Sequence, residues 1–240
     1  MVAEGGITTV ERVFERIRSQ SIGSAVDLGC GNGRHLEKLS KLADKVFAIE
    51  PDSRRISNAK SLAEAKELTN VVFFNDDFSS IGKLGCTPNL IFCSHVIQHI
   101  GQNDAKNLVA ICANVLAADG ALLLVTTRSI RHQDHYRKVW CNGHCIEFES
   151  ITSKEYEDRC NQNCPGCLPV RLFSWNSLSI LLRDRFNSLQ MLPYNNFLFR
   201  KLRGFFWVRE TASRLPLLKR WIGSDVLVIC KRPIKQSRDN

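Results

Sequence analysis

A chain of 240 residues, 44% hydrophobic and 24% charged, is long enough to bury one substantial core, and its composition excludes a disordered or collagen-like polypeptide. No apolar run approaches bilayer length, and the first 20 residues lack the apolar centre of an export signal. A cytoplasmic protein is therefore expected, with ten cysteines that do not form a secreted disulfide framework. The net charge of +9 is concentrated in residues 197–238, which hold 11 Lys or Arg against Glu210 and Asp225 and call for an anionic partner.

In chain order, Val10, Phe14 and Ile17 fall at helical spacing. Short apolar runs then predict strands at residues 25–28, 46–50, 71–75, 90–94 and 121–126, separated by helical patterns at 35–42, 53–67 and 104–118. Gly120 stands where a glycine stop for the third helix is expected. Strands separated by helices imply βαβ units, and so a doubly wound α/β fold with a mostly parallel sheet covered on both faces. Residues 128–169 break the pattern: polar, rich in Cys and His, without a clear period, they read as an insertion over the ligand-binding edge. Regularity returns in a helix at 175–186 with Ser174 as N-cap, then two final strands at 188–194 and 225–231. These flank a basic, aromatic helical stretch at 197–222 and complete seven strands in a single domain, 1–240.

The segment from Val26 to Leu36 takes a strand through Asp27 into a glycine loop, Gly29-Cys30-Gly31-Asn32-Gly33, that opens a helix and lets backbone approach a ligand. Glu50 ends the second strand, where an acid accepts hydrogen bonds from ribose hydroxyls. A nicotinamide dinucleotide fold wants Gly or Ala three positions after the second glycine, and here that position is Arg34. Asp27 beside the loop would repel a pyrophosphate and attract a cationic amino acid and sulfonium. Charge favours S-adenosylmethionine over a dinucleotide.

On these residues the chain resembles the class I, Rossmann-like S-adenosylmethionine-dependent methyltransferases. Asp27 to Gly33 is similar to their first motif, and Glu50-Pro51 to the segment carrying the ribose-binding acid. Asn75-Asp76-Asp77-Phe78 resembles the stretch whose acid contacts the adenine amino group. Asp77 is preferred for that role, with Phe78 against the base; the alternative is an acid that only caps the next turn. Residues 90–100, which include Ser94, His95 and His99, resemble the fourth-strand motif beside the transferred methyl group, and 116–124 the helix–glycine–strand unit that follows. The resemblance implies cofactor contacts from Asp27, Gly29, Cys30, Gly31, Asn32, Gly33, Glu50, Pro51, Asp77, Phe78, Ser94 and His95.

Methyl transfer from a sulfonium demands alignment and a dry pocket, with a base only where the acceptor must lose a proton. His95 and His99 are the candidate bases, against the alternative that both only pack beneath the cofactor. Cys141, Cys145, Cys160, Cys164 and Cys167 have spacings that suit a structural zinc stapling the insertion, or else remain free thiols. The basic stretch at 197–222 suits a peripheral membrane contact, an RNA surface, or simply a helix covering the sheet. The expected reaction is methylation of an O or N atom on a small-molecule or lipid- or glycan-linked acceptor. The alternatives are a tRNA or rRNA methyltransferase and a non-catalytic nucleotide-binding module. The Asn/Asp-Pro-Pro-Tyr/Phe motif of many nucleic-acid N-methyltransferases is absent after the fourth strand.

Overall fold

The computed structural model describes residues 9–17, 22–142, 145–162, 167–194 and 224–234. Seven strands form one sheet: β1 (Ile22–Leu28), β2 (Ala43–Ile49), β3 (Val71–Phe74), β4 (Leu90–Ser94), β5 (Ala121–Thr127), β9 (Phe186–Tyr194) and β10 (Asp225–Pro233). Their order is β3-β2-β1-β4-β5-β10-β9. The first five run parallel, and β10 lies antiparallel between β5 and β9.

Alternation along the strands divides the core between the two faces. Val26, Leu28, Phe47, Ile49, Ile91, Cys93, Leu122 and Leu124 pack on one face beneath α4 (Gln102–Val115) and α6 (Trp175–Arg183). Ala25, Val46, Ala48, Leu90, Phe92, Leu123 and Val125 face the other way, toward α1 (Thr9–Ile17), α2 (Leu36–Ser40) and α3 (Ser53–Ala65). The sheet is covered on both sides, as in a doubly wound fold. On α4, buried Ala105, Leu108, Val109, Cys112 and Ala113 form the i, i+3, i+4 stripe that the helix presents to the sheet.

All four predicted helices end earlier than their sequence patterns, and two of them lose the most length. The second spans only Leu36–Ser40, because the glycine loop delays its start and Ala43 already belongs to β2. The last ends at Arg183 because Phe186, fully buried, opens β9; its expected N-cap is present, with Ser174 Oγ accepting from Ser177 N at 3.2 Å. Gly120 is not a helix stop, since α4 ends at Val115. A side chain there would meet the Asn89 carbonyl oxygen at 2.9 Å, so glycine serves the entry into β5.

The largest departure is the insertion, which is regular. β6 (His135–Asn142), β7 (Cys145–Ile151) and β8 (Leu168–Leu172) form a separate antiparallel sheet in the order β7-β6-β8, with α5 (Ser153–Gln162) between the last two. Its strands lack one plainly apolar face. Lys138 pairs across the ladder with Glu149 at 2.8 Å, and the Arg137 guanidinium lies 4.6 Å from the Phe148 ring centre. Cross-strand charge and cation–π pairs replace the apolar alternation that marks a half-buried strand. The insertion is anchored where Phe173 N donates to Thr127 O at 3.2 Å and Ser129 N to Phe173 O at 2.8 Å. Asp134 strengthens the joint: its carboxylate accepts from Arg171 Nη2 at 2.6 Å, from Ser174 N at 2.7 Å and from Ser177 Oγ. Burial alone would raise the Asp134 pKa, but Ser177, Ser174 and Arg171 outweigh it and hold the carboxyl below its ordinary range. The basic stretch at 197–222 lies outside the described residues.

Candidate functional site

The strand order reverses between β1 and β4, and at such a switch point the carboxyl ends of adjacent strands part to leave a crevice. Asp27 is the next-to-last residue of β1 on one side of it, and Ser94 closes β4 on the other. After β1 the chain turns sharply, with Gly29 N and Cys30 N both donating to Ile49 O at 2.8 and 3.0 Å. Gly29, Gly31 and Gly33 have φ of +73°, +55° and +83°, the left-handed region that side chains disfavour. A Cβ on Gly29 would overlap Val96 Cγ2, and one on Gly33 would lie 3.2 Å from Ala59 Cα of α3. A Cβ on Gly31 would meet nothing within 4 Å. Gly29 and Gly33 thus serve packing, while Gly31 faces the open side where a ligand can lie against backbone.

Glu50 and Asp27 frame this loop. One Glu50 oxygen accepts from Gly31 N at 2.9 Å and the other from Asp52 N at 3.2 Å, so the acid holds the loop to the start of α3. Asp52 in turn caps that helix through Arg54 N and Arg55 N. Asn32 Oδ1 accepts from Asn58 Nδ2 at 3.1 Å, and Pro51 O accepts from Asn75 Nδ2 at 2.9 Å. Asp27 is 1% exposed, and its Oδ2 has no hydrogen-bond partner among the described residues. Burial, with the Glu50 charge adding to it, raises its pKa from 3.8 to about 7. A lone buried carboxylate oxygen is costly and calls for a cation or a donor. Burial and the same two acids push the Cys30 thiol well up, so Cys30 lines the loop as an inert neutral group.

Beyond β3, Asp77 caps a short 3₁₀ turn, Phe78–Lys83, with Oδ1 accepting from Ser79 N at 2.7 Å; these bonds hold its pKa below the ordinary range. Asp76 Oδ1 accepts from Asp77 N at 2.8 Å. Both acids are exposed, and half-buried Phe78 packs against the core.

At the end of β4, His95 has φ of +58°, unusual for a residue other than glycine, and its N–H bonds to Val125 O at 2.8 Å. The next turn brings His95 and His99 to opposite ends of the Gln98 amide. His95 Nδ1 lies 3.2 Å from Gln98 Oε1, Gln98 Nε2 lies 3.2 Å from His99 Nε2, and His99 Nδ1 lies 2.8 Å from Pro169 O in β8. Gln98 Oε1 also accepts from Thr127 N at 2.8 Å and Thr126 Oγ1 at 3.2 Å. From α5, fully buried Tyr156 sends its hydroxyl to Ile100 O at 2.6 Å and Gln98 O at 3.1 Å, and Glu157 accepts from Gln102 N at the start of α4. Sequence reasoning singled out the two histidines and missed Gln98 and Tyr156, whose partners are 29 and 56 positions away.

The insertion also borders a cavity of about 320 Å³, lined by Arg128, Ser129, Arg131, His132, Trp175 and Asn176. The Arg128 guanidinium stands 5.5 Å from the centre of the Trp175 ring. The expected zinc staple is not found: among the described residues no three His, Cys, Asp or Glu side chains gather as a metal site. Cys160 Sγ instead donates to His99 O at 3.6 Å, and Cys167 Sγ accepts from Arg159 Nη1 at 3.8 Å; each is spent on a local protein contact. The backbones of Cys141 and Cys145 belong to β6 and β7, and Cys164 lies outside the described residues.

Residues 25–120 match a methyltransferase-domain family. A 23S rRNA (uracil-C5)-methyltransferase from a Shewanella species is 28% identical over 129 residues, 49% of this chain and 29% of that protein. The chain thus spans under a third of the length of that curated relative. The N-terminal domain of EvdMO1 with S-adenosylhomocysteine bound superposes with a TM-score of 0.59 at 14% identity, covering 92% of this chain and 79% of that one. A 1,6-didemethyltoxoflavin-N1-methyltransferase from Burkholderia thailandensis, with its substrate and S-adenosylhomocysteine bound, gives 0.56 at 13% identity over 92% and 75%. The matched segment contains the Asp27 strand, the glycine loop and Glu50, and the sheet order around it is that of these structures' fold.

Proposed function

We propose that the chain transfers a methyl group from S-adenosylmethionine to an O or N atom of a small-molecule or lipid- or glycan-linked acceptor. The observation that carries this reading is the buried Asp27 oxygen with no partner among the described residues, beside a glycine whose open side admits a ligand. A cationic ammonium or sulfonium supplies what Asp27 lacks, and a pyrophosphate would not. Glu50 is the acid for the ribose hydroxyls, and the loop 29–33 holds the amino-acid end against backbone. Asp77 and Phe78 flank the adenine, with Asp77 serving it while also capping its turn. Ser94 and His95 border the methyl group at the crevice. Bound at this site, S-adenosylmethionine supplies a methyl group already activated on sulfur, so alignment is the protein's main contribution.

The small-molecule reading is supported by the 1,6-didemethyltoxoflavin-N1-methyltransferase, a protein of this fold with 1,6-didemethyltoxoflavin bound, and by the open cavity beside Trp175. The insertion between β5 and β9 forms the acceptor side, and no helix among the described residues is long and apolar enough to cross a membrane. Calorimetric titration with S-adenosylmethionine and S-adenosylhomocysteine tests the reading. Saturable binding that an Asp27→Ala, Glu50→Ala double variant loses is expected. A folded wild-type chain that binds neither compound would overturn it.

A further inference from the structure

The Gln98 amide fixes where protons sit on both histidines, and the assignment follows from groups that have only one role. A backbone N–H can only donate, so the Gln98 atom 2.8 Å from Thr127 N is the carbonyl oxygen. Its nitrogen therefore points at His99 Nε2, which must accept. A carbonyl can only accept, so His99 Nδ1 carries the hydrogen that reaches Pro169 O. Both His99 nitrogens are committed, and the ring is neutral. Burial, followed by the charges of His95 and Arg55, moves its pKa down to about 4 against the opposing pull of the Pro169 carbonyl. On the other side of the amide, His95 Nδ1 faces the Gln98 carbonyl oxygen, which can only accept, so Nδ1 donates as a third donor to that oxygen and the lone pair is left on Nε2.

We propose that Gln98 is a positioning residue that holds His95 as the Nδ1–H tautomer, leaving His95 Nε2 to take the proton of a hydroxyl acceptor. This rests on the methyltransferase reading above and narrows it. A neutral amine can attack through its lone pair and lose its proton later, whereas a hydroxyl must shed its proton as the new bond forms, so a locked base is of most use to oxygen. The carbon–oxygen bond forms as the carbon–sulfur electron pair returns to sulfur, and the O–H proton passes to His95 Nε2. The resulting imidazolium keeps its Nδ1–H bond to Gln98 Oε1, now charge-assisted. Two elements of the insertion hold the lock: β8 supplies the Pro169 carbonyl, and the Tyr156 hydroxyl of α5 binds the Gln98 backbone. The positive φ at His95 places this residue in a conformation the surrounding structure must maintain, as is usual where a side chain is aimed for a task.

The test is long-range ¹⁵N–¹H correlation of the imidazoles in the full-length labelled chain, with and without S-adenosylhomocysteine. At neutral pH both histidines should show a protonated Nδ1 and a bare Nε2, and His99 should stay neutral to pH 5. Gln98→Glu turns an oxygen toward His99 Nε2, so His99 should bind a proton at least tenfold more tightly. Gln98→Met should release the His95 tautomer preference. A protonated Nε2 on neutral wild-type His95 overturns the proposal, as does an unchanged tautomer in Gln98→Met. The wild-type spectrum decides the matter even where a variant fails to fold. Absent S-adenosylhomocysteine binding would strike the methyltransferase reading instead, and the calorimetry described above distinguishes the two failures.

Discussion

Replacing Asp27 by Asn removes a charge that the folded chain holds at a loss, and the size of that loss follows from its surroundings. Below about pH 4, Asp27 is protonated in the folded and unfolded chains alike. Between about 4 and 7 the folded chain keeps a proton that the unfolded chain has released, so this group's contribution to stability falls as pH rises. The displacement from 3.8 to about 7, at about 1.36 kcal/mol per pKa unit, is worth about 4 kcal/mol once pH exceeds 7. His99 acts in the opposite sense: the unfolded chain binds its proton first, and stability is lost as pH falls from 6.5 to about 4. The wild-type curve mixes both slopes, and the difference between variant and wild type isolates the carboxylate. Urea unfolding of the ligand-free proteins from pH 4 to 8 should show that difference growing in favour of Asp27→Asn by about 4 kcal/mol. In a chain of this size that is about 10 °C in Tm at pH 8. The amide's own unmatched N–H adds an offset that does not vary with pH. A difference that stays flat across the range would refute the assignment of a raised pKa to Asp27. Saturating S-adenosylmethionine should shrink the difference, since the ligand's cation then offsets the wild-type charge.

The three loop glycines should separate by what surrounds them. Gly29→Ala drives a methyl group into Val96 at a positive φ and should cost about 2–5 kcal/mol in urea unfolding, whereas Gly31→Ala meets open space and should cost about 1–2 kcal/mol. Gly31→Ala should nonetheless lose most of its S-adenosylhomocysteine affinity by calorimetry; full affinity would show that the ligand does not lie on this face. Tyr156→Phe removes the donor to the Gln98 and Ile100 carbonyls and should destabilise the chain by about 1–3 kcal/mol. A loss under about 0.5 kcal/mol would show that Tyr156 holds the turn by packing alone.

The glycine loop and the two acids that frame it were legible because they are close in sequence and each residue type has one physical reason. Three glycines in one loop announce backbone strain and close approach, Asp27 announces a buried charge, and Glu50 follows from the end of the next strand. The insertion was not legible. Its strands pair Lys138 with Glu149 and Arg137 with Phe148, which conceals their period, and its anchor at Asp134 joins residues up to 43 positions apart. The cysteine spacing suggested a metal, whereas Cys160 and Cys167, the two of these five cysteines whose side chains are described, turn to His99 and Arg159.

By itself the sequence determined the parallel core, its two apolar faces, the glycine turn and the two acids that frame it. All of these follow from short-range periodicity and from the conformational limits of single residues. Only the tertiary structure decided that β10 enters antiparallel between β5 and β9, and that the insertion folds as its own sheet. It also decided that one amide between two histidines settles which nitrogen is free. Proton placement depends on a donor from Thr127 and an acceptor from Pro169, brought together by packing across strands that no local pattern relates.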